Sequence, residues 1–548
     1  MRRKFVQKAS QERFCRQASR QGRGDKPWRR ATQLKISFKQ KAVSVVDVIS
    51  MRALDGSVVE FHDKIVGSGQ KKDCYFSPQR DYVVLWYRDP VSLQDLSRLE
   101  AITGSYREQL FNGPAGPYWR ELMCWPDRIV RHGERVGITA PAYSRRYFFE
   151  YGSRNNDALK LCGKEKEGYW FASLKHRAKT LDTRELGDLR SALRMAIRTA
   201  RAVRRLHAAG LVHGDLSYRN VLLDPPRGDI CLIDLDGLVV PGKFPAEVIG
   251  TPDFIAPEVV ATRHLERHDP QRKLPDWRTD LHALAVLIYQ MLLLRHPLRG
   301  DQLHDLDNDE CQETQLMGAG ALFIENAHNA ANRIDPAFLE PYEKPWKLTA
   351  QVPYTCLGPQ LSSLIECAFV DGLHDPGLRP SALEWEDALV QTADLMHPCA
   401  NSACQAGSFV VSTRQLFCPF CGTHLPAPVL LAHSYFDRGG GAFAASGRIK
   451  ILHHHAAVHG WHVRPEQVAN EHASSAQAQR QAYLARADLA STNGQIWLIN
   501  ESIGDLRDIG AQSDIVPGQS VALKPGQKLL LSRVSPAQLW LIDEIKAL

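Results

Sequence analysis

The sequence predicts an α+β chain of several folded units, and three observations carry that prediction. A chain of 548 residues is too long for one hydrophobic core and implies two to four domains. Apolar residues alternate around Val58 to Val66 and strands are read at Tyr82 to Arg88 and Arg135 to Ala140, while helices are read over Ser92 to Phe111, Leu186 to Ala209 and Leu281 to Leu294. Two cysteine pairs follow, Cys399/Cys404 and Cys418/Cys421, and beyond Ala427 the chain is turn-rich with short alternating runs, as in a small all-β unit. The apolar share of 44% and charged share of 24% are those of an ordinary globular chain.

The net charge of +7 is unevenly placed. Residues 1–41 hold 14 Lys/Arg against Glu12 and Asp25, a balance of +12, which leaves −5 for the remainder. This stretch has few apolar residues and no period, so it is expected to be a disordered basic tail. No apolar run of signal-peptide length follows its charges. The longest apolar run, Ala283 to Leu294, is broken by Gln290 and falls short of the ~20 residues of a membrane span. Eight cysteines are scattered without pairing rhythm, as free thiols in a reducing cytosol would be. A cytoplasmic protein is therefore expected, with no membrane among its partners.

The chemistry-bearing stretch is His213-Gly214-Asp215-Leu216-Ser217-Tyr218-Arg219-Asn220, followed by Asp234-Leu235-Asp236-Gly237 after the short apolar strand Cys231 to Ile233. An aspartate, an asparagine five positions on and a later aspartate suit phosphoryl transfer: one carboxylate orients a hydroxyl, while the amide and second carboxylate hold Mg²⁺ on nucleotide phosphates. Together with Gly250-Thr251-Pro252-Asp253-Phe254-Ile255-Ala256-Pro257-Glu258, these residues resemble the protein kinase superfamily. Small-molecule kinases lack the second segment, which shapes a peptide-binding floor. The resemblance implies that Glu258 pairs with Arg379 of Gly377-Leu378-Arg379-Pro380, and that Asp280 props the catalytic loop. It covers roughly residues 55 to 395 and implies a bilobal fold, with an N-lobe over 42–143 and a C-lobe over 144–395.

Within the N-lobe, Gly67-Ser68-Gly69-Gln70-Lys71-Lys72 looks like the glycine-rich hairpin over ATP phosphates, where missing Cβ atoms let backbone N–H groups approach. The next strand, Tyr82 to Arg88, presents Trp86 at the position assigned to the family's phosphate-gripping lysine. Lys72 lies where with-no-lysine kinases place their displaced lysine and is the expected substitute, Arg88 being a weaker one. Ser92 to Phe111 reads as the regulatory helix, with Leu96, Leu99, Ile102, Tyr106 and Leu110 along one side. Glu100, flanking that face, is the nominated partner of the lysine. Pro141-Ala142-Tyr143 falls at the hinge, which puts Pro141 and Tyr143 against adenine.

The helix from Leu186 should end at Gly210, a suitable cap. Asp215 is the implied catalytic residue, Asn220 and Asp234 the Mg²⁺ ligands, and Arg219 the cation standing in for the absent lysine at Ser217. Asp236 then occupies the glycine position of the family's DFG. Thr251-Pro252 resembles Ser/Thr kinases. Gly214 replaces the arginine that clamps an activation-loop phosphate, and no Ser, Thr or Tyr lies between Leu235 and Gly250, so no loop switch is expected.

The spacing Cys399-x4-Cys404 and Cys418-x2-Cys421 predicts a zinc ribbon over 396–426, four thiolates holding structural Zn²⁺ with no open position for chemistry. The kinase domain is expected to act without it. Residues 427–548 read as a β-sandwich whose end resembles FHA domains, with strands at Trp497-Leu498-Ile499 and Trp540-Leu541-Ile542. No phosphothreonine-binding Arg/Ser pair is found there to carry over. His453, His454, His455, His459 and His462 share a strand and would alternate sides, which argues against a metal site. The combined reading is a serine/threonine kinase using ATP, Mg²⁺ and structural Zn²⁺ on a protein substrate. Kinase followed by ribbon also looks like bacterial kinases of stress and tellurite-resistance operons, which implies a von Willebrand A protein and a PP2C phosphatase as partners. The rivals are a pseudokinase scaffold and a zinc-ribbon nucleic-acid-binding adaptor, although nucleic acid is not the expected partner.

Overall fold

A computed structural model describes residues 47–69, 71–246, 248–302, 314–412, 415–425, 428–464, 480–486 and 494–545. The basic tail 1–41 lies outside the described residues. The N-terminal lobe is a five-stranded antiparallel sheet of order β3-β4-β5-β7-β6: β3 Ile65–Ser68, β4 Lys72–Phe76, β5 Tyr82–Tyr87, β6 Arg128–His132 and β7 Arg135–Pro141. A preceding hairpin, β1 Val48–Arg52 and β2 Val58–His62, covers its outer face. Val59 and Phe61 pack there on Val84, Trp86 and Val130, with Phe61 edge-on to Trp86 at 6.2 Å.

That packing corrects one position of the sequence reading. Side chains alternate along a strand, and the outward set of β5 is Val84 and Trp86, whereas Val83, Leu85 and Tyr87 face the other way. Tyr87 is the direct cross-strand partner of Lys72. The inward slot opposite the displaced lysine therefore belongs to Tyr87, and Trp86 is a core residue under the β1–β2 hairpin.

Helix α1, Leu93–Ala101, starts on the Ser92 cap and continues through Ile102–Tyr106 and Arg107–Phe111 as one helical run, matching the expected span. Helix α2, Leu189–Ala208, begins three residues later than the sequence implied, because the Asp188 carboxylate accepts the Ser191 N–H and fixes the start. Gly210, at φ +76°, ends it in the left-handed region that suits glycine. The hairpin β8 Val221–Asp224 and β9 Asp229–Leu232, helix α3 Pro257–Thr262, helix α4 Trp277–Leu293 and helix α5 Ala382–Asp394 complete the second lobe. Helix α4 is buried on nearly every side, so its apolar run is a core element. Among the described residues no helix is long and apolar enough to cross a membrane.

The cysteine-bearing segment does not stand apart from this lobe. Its hairpin, β10 Met396–Pro398 and β11 Ser408–Val410, feeds Phe409 and Val410, and the second knuckle Cys418 and Phe420, into the same apolar cluster as α2, α4 and α5. Phe420 meets Trp346 at 4.5 Å, and the Leu189 N–H at the start of α2 donates to the Ala406 carbonyl. The expectation of a separable ribbon is thus corrected: its knuckles sit over a surface the C-lobe would otherwise expose.

The described residues between 428 and 545 form two antiparallel sheets with a core of their own. The six-stranded sheet has β13 Phe443–Leu452 at one edge, then β12 Val429–Asp437 and β16 Gln538–Ile545, with three further strands beyond, and the four-stranded one contains β14 Arg480–Arg486 and β15 Ile496–Asn500. The expected strands at Trp497 and Trp540 are present, with Trp540 fully buried. Gly518 and Gly526, each between a proline and a glutamine, take positive φ in turns. The histidines do not share one strand: the His454 and His455 rings lie tilted at 3.6 Å between two strands, the His459 N–H donates to His462 Nδ1 at 2.9 Å, and His462 bonds Asp394 of α5 at 2.9 Å.

Candidate active site

The catalytic-loop residues lie between α2 and β8, and their geometry is set from below. Asp280, on the first turn of α4 and 2% exposed, accepts the backbone N–H of His213 at 2.7 Å and of Gly214 at 2.9 Å. Gly214 sits at φ +77°, and a Cβ there would lie 2.9 Å from Val239 Cγ2. Glycine is therefore a requirement of the loop at the position where the family has arginine.

This anchoring leaves Asp215 facing the cleft. Its Oδ1 accepts from the Thr251 hydroxyl at 2.7 Å, and the Asn220 amide donates to its Oδ2 at 3.2 Å and to its backbone carbonyl at 2.7 Å. Burial raises the Asp215 carboxyl above its ordinary value, against the opposing hydrogen bonds of Thr251 and Asn220. The Arg219 guanidinium lies over the Tyr169 and Tyr218 rings, at 5.3 and 5.8 Å. Its charge bears on Asp253 of the peptide-floor segment. That placement points to the acceptor side of the loop, which differs from the expected role at the transferring phosphate.

Asp234 ends the β9 strand in a left-handed conformation, φ +62° and ψ +41°. Non-glycine residues hold such backbone only when surrounding structure imposes it, and they cluster at functional sites. The Lys72 ammonium reaches Asp234 Oδ1 at 3.0 Å and both oxygens of Asp236 at 2.7 and 2.8 Å. Burial alone would lower the lysine pKa, but the two carboxylates outweigh it and keep the group cationic. Lys72 in turn holds the Asp234 carboxyl below its ordinary value. The Tyr87 hydroxyl donates to Asp236 Oδ2.

The nominated helix partner is not among these contacts. Glu100 is exposed on α1, and the buried polar residue on that helix is Arg98, whose guanidinium donates to the Pro245 carbonyl at 3.0 Å. Helical periodicity placed Glu100 beside the apolar stripe of α1. It could not show that the lysine already has a carboxylate from the other lobe. Arg88 is likewise engaged elsewhere: with Ser68 and Asp73 it straps the glycine-rich hairpin, at 2.7 Å from Asp73.

At the hinge, Pro141 pairs with Tyr82, and the Ala142 N–H donates to the Asp81 carbonyl at 2.9 Å. Two apolar surfaces meet there. Val66, Val83 and Ala140 from the sheet, and Leu222, Cys231 and Ile233 from the second lobe, both pack against Tyr143 and Cys124. Sequence reasoning missed Leu222 and Val66, which carry no polar signature, and Glu165, whose charge bears on Cys74 and Tyr143. On the floor of the second lobe, Glu258 and Arg379 form a bidentate pair at 2.8 Å on both arms, with Arg379 buried.

Residues 166–373 match the family described as protein kinase domain. This stretch of the chain is a protein kinase domain. Its kinase domain is similar to death-associated protein kinase dapk-1 of Caenorhabditis elegans, 38% identical over 18% of this chain and 6% of the relative. It is also similar to serine/threonine-protein kinase 17A of Oryctolagus cuniculus, 35% identical over 18% and 23%, and to serine/threonine-protein kinase PknD of Chlamydia abortus, 31% identical over 18% and 12%. The chain spans less than a quarter of the length of each of these curated relatives. The family match begins beyond the hinge, so the placement of Lys72, Gly67 and Gly69 rests on the geometry of the N-lobe.

The four candidate metal-ligating thiols lie together, all sulfurs within 4.8 Å of one another. Cys399 and Cys421 are 3.5 Å apart, Cys404 and Cys418 3.7 Å. A disulfide requires about 2.05 Å, whereas tetrahedral ligands at about 2.3 Å from zinc lie roughly 3.8 Å apart. The donor set fits a tetrahedral, sulfur-liganded metal.

Proposed function

We propose that the chain is a serine/threonine protein kinase that transfers the γ-phosphoryl group of ATP to hydroxyls of a protein substrate. The observation that carries this reading is the convergence of Asp215, Asn220, Asp234 and Lys72 on one cleft from both lobes. Asp215 is within reach of an acceptor hydroxyl, positioned by Thr251 and Asn220, and acts as the group that orients it and takes its proton. Asn220 and the exposed Asp234 are oxygen donors of the kind Mg²⁺ accepts, and the metal would supply charge neutralisation on the phosphates. Lys72 brings a second positive charge to the same phosphates. The apolar slot at Pro141 and Tyr143 suits adenine, and the Gly67 to Gly69 hairpin the phosphates.

Thr251 on Asp215 and the Glu258–Arg379 pair favour a peptide acceptor with Ser or Thr. The cysteine quartet is proposed to hold structural Zn²⁺, the C-terminal sandwich to be FHA-like, and the protein to be cytoplasmic. A role in bacterial stress signalling beside a von Willebrand A protein and a PP2C phosphatase is the narrowest part of the proposal, supported by the order of kinase and ribbon. Incubation with radiolabelled ATP, Mg²⁺ and a generic acceptor protein tests the central claim. Label should appear on Ser or Thr and vanish in Asp215→Ala, with nucleotide binding largely kept. A chain that binds Mg·ATP and labels nothing is a pseudokinase scaffold.

A further inference from the structure

We propose that Asp236, held by Tyr87, is the positioning residue of the ATP lysine, replacing a helix glutamate with a carboxylate from the catalytic lobe. This rests on the kinase reading above. The two aspartates that Lys72 touches differ in exposure: the Asp234 side chain is 55% exposed and Asp236 10%. An exposed carboxylate is available to a metal ion, whereas a buried one bonded by both an ammonium and a phenol is a fixed partner. Both oxygens of Asp236 contact Lys72, against one of Asp234. Tyr87 lies directly across the strand pair from Lys72, with the ammonium 5.6 Å from its ring centroid, so Lys72 and Tyr87 approach Asp236 from the same face of the sheet.

Two consequences follow from the geometry. The lysine is fixed to the segment that carries Asp234, so its position does not depend on a glutamate from α1. That helix is tied down separately, by Arg98 on the Pro245 carbonyl. Secondly, Lys72 also bonds Oδ1 of Asp234. A metal ion held by Asp234 would find Oδ2 open and would compete with the ammonium for Oδ1, and Asp236 would hold Lys72 in place beside it. Removing the Asp236 charge leaves Asp234 as the one carboxylate partner of Lys72 among the described residues, where the ammonium would compete with Mg²⁺.

The test is calorimetric binding of a non-hydrolysable ATP analogue to the full chain over a Mg²⁺ series, which needs no phosphoryl transfer. Asp236→Asn should weaken the analogue about 10- to 100-fold and raise the Mg²⁺ concentration for half-maximal binding, with the KM for acceptor protein unchanged. Adding Lys72→Met to Asp236→Asn should return the Mg²⁺ requirement toward wild type while affinity stays low, a reversal that a merely structural role would not produce. Tyr87→Phe leaves both charges in place and should weaken binding several-fold, which keeps the proposal testable if Asp236→Asn does not fold. Glu100→Gln should bind as wild type. The proposal is overturned if Asp236→Asn or Tyr87→Phe binds with unchanged affinity and Mg²⁺ dependence, or if Glu100→Gln weakens binding as much. A wild-type chain that binds the analogue but never labels an acceptor refutes the kinase reading and leaves these affinities decisive. One that binds no nucleotide refutes both.

Discussion

Replacing Phe420 by alanine should destabilise the kinase lobe, although the residue belongs to a cysteine knuckle. Phe420 is 7% exposed and its ring lies 4.5 Å from that of Trp346, itself 4% exposed, in the cluster that contains α2, α4 and α5. Truncating a buried phenylalanine costs about 3–5 kcal/mol, of which the aromatic pair contributes roughly 0.5–1.5. Against a typical total of about 5–15 kcal/mol that is a large fraction, equivalent to a fall in melting temperature of the order of 10 °C. Phe420 supplies no metal ligand, so zinc content should remain near one per chain. The assay is scanning calorimetry of the full chain alongside metal analysis. If the ribbon were an independent appendage, only a small separate transition would shift. A main transition unchanged to within about 1 °C, with zinc retained, would refute the shared core.

Lys72→Met should reduce phosphoryl transfer by orders of magnitude, whereas Arg88→Met, which loosens the hairpin strap, should be much milder; equal losses in a kinase assay would contradict the assignment. Burial pushes the His453 imidazole down to about 3, so the folded state keeps it neutral while an unfolded chain protonates it near 6.5. Its stabilising contribution is full above pH 6.5 and shrinks as pH falls toward 3, a loss of about 2 kcal/mol by pH 5. Urea midpoints at pH 7 and 5 should show this decline, and His453→Gln should flatten part of it; an identical slope in the variant would count against the argument. Activity should survive phosphatase treatment, because no hydroxyl residue lies between Leu235 and Gly250; loss on treatment, restored by phosphorylation of Thr251, would show a loop switch after all.

Residues whose chemistry needs fixed sequence spacing were legible. Asp215, Asn220 and Asp234 are separated by one loop and one hairpin, so their spacing nearly determines their geometry, and the cysteine pairs work the same way. Thr251, Asp280 and the Glu258–Arg379 pair were readable because a resemblance supplied the distant partners. What failed were readings that depend on strand parity and on contacts between lobes. A one-residue slip on a strand moves a side chain to the opposite face, which turned Trp86 from a cleft residue into core and hid Tyr87. Asp236 looked like a defect in the DFG pattern because its partner is 164 residues away in sequence. The ribbon's attachment was invisible for a related reason: Phe420 and Trp346 carry no pattern until the fold brings them together.

Helix α5 shows how the β-sandwich is joined to the catalytic lobe. On one side Glu386, 2% exposed, accepts from Arg201 and Arg204 of α2 at 2.7 Å each. Asp387 and Asp394 instead receive Arg448 at 2.7 Å and Lys450 at 2.8 Å from β13, and Asp394 also receives His462. Burial would raise the Asp394 carboxyl, but the His462 and Lys450 contacts prevail and hold it well below the ordinary range. The buried ion pairs of Glu386 and Asp394 add little net stability, because desolvation cancels most of the attraction. Apolar contact would serve adhesion better. What paired charges add is a defined geometry, since each carboxylate is satisfied in one orientation of the sandwich on α5. The helix that closes the kinase core therefore also orients the C-terminal domain, and α2, which it grips through Glu386, runs directly into the catalytic loop.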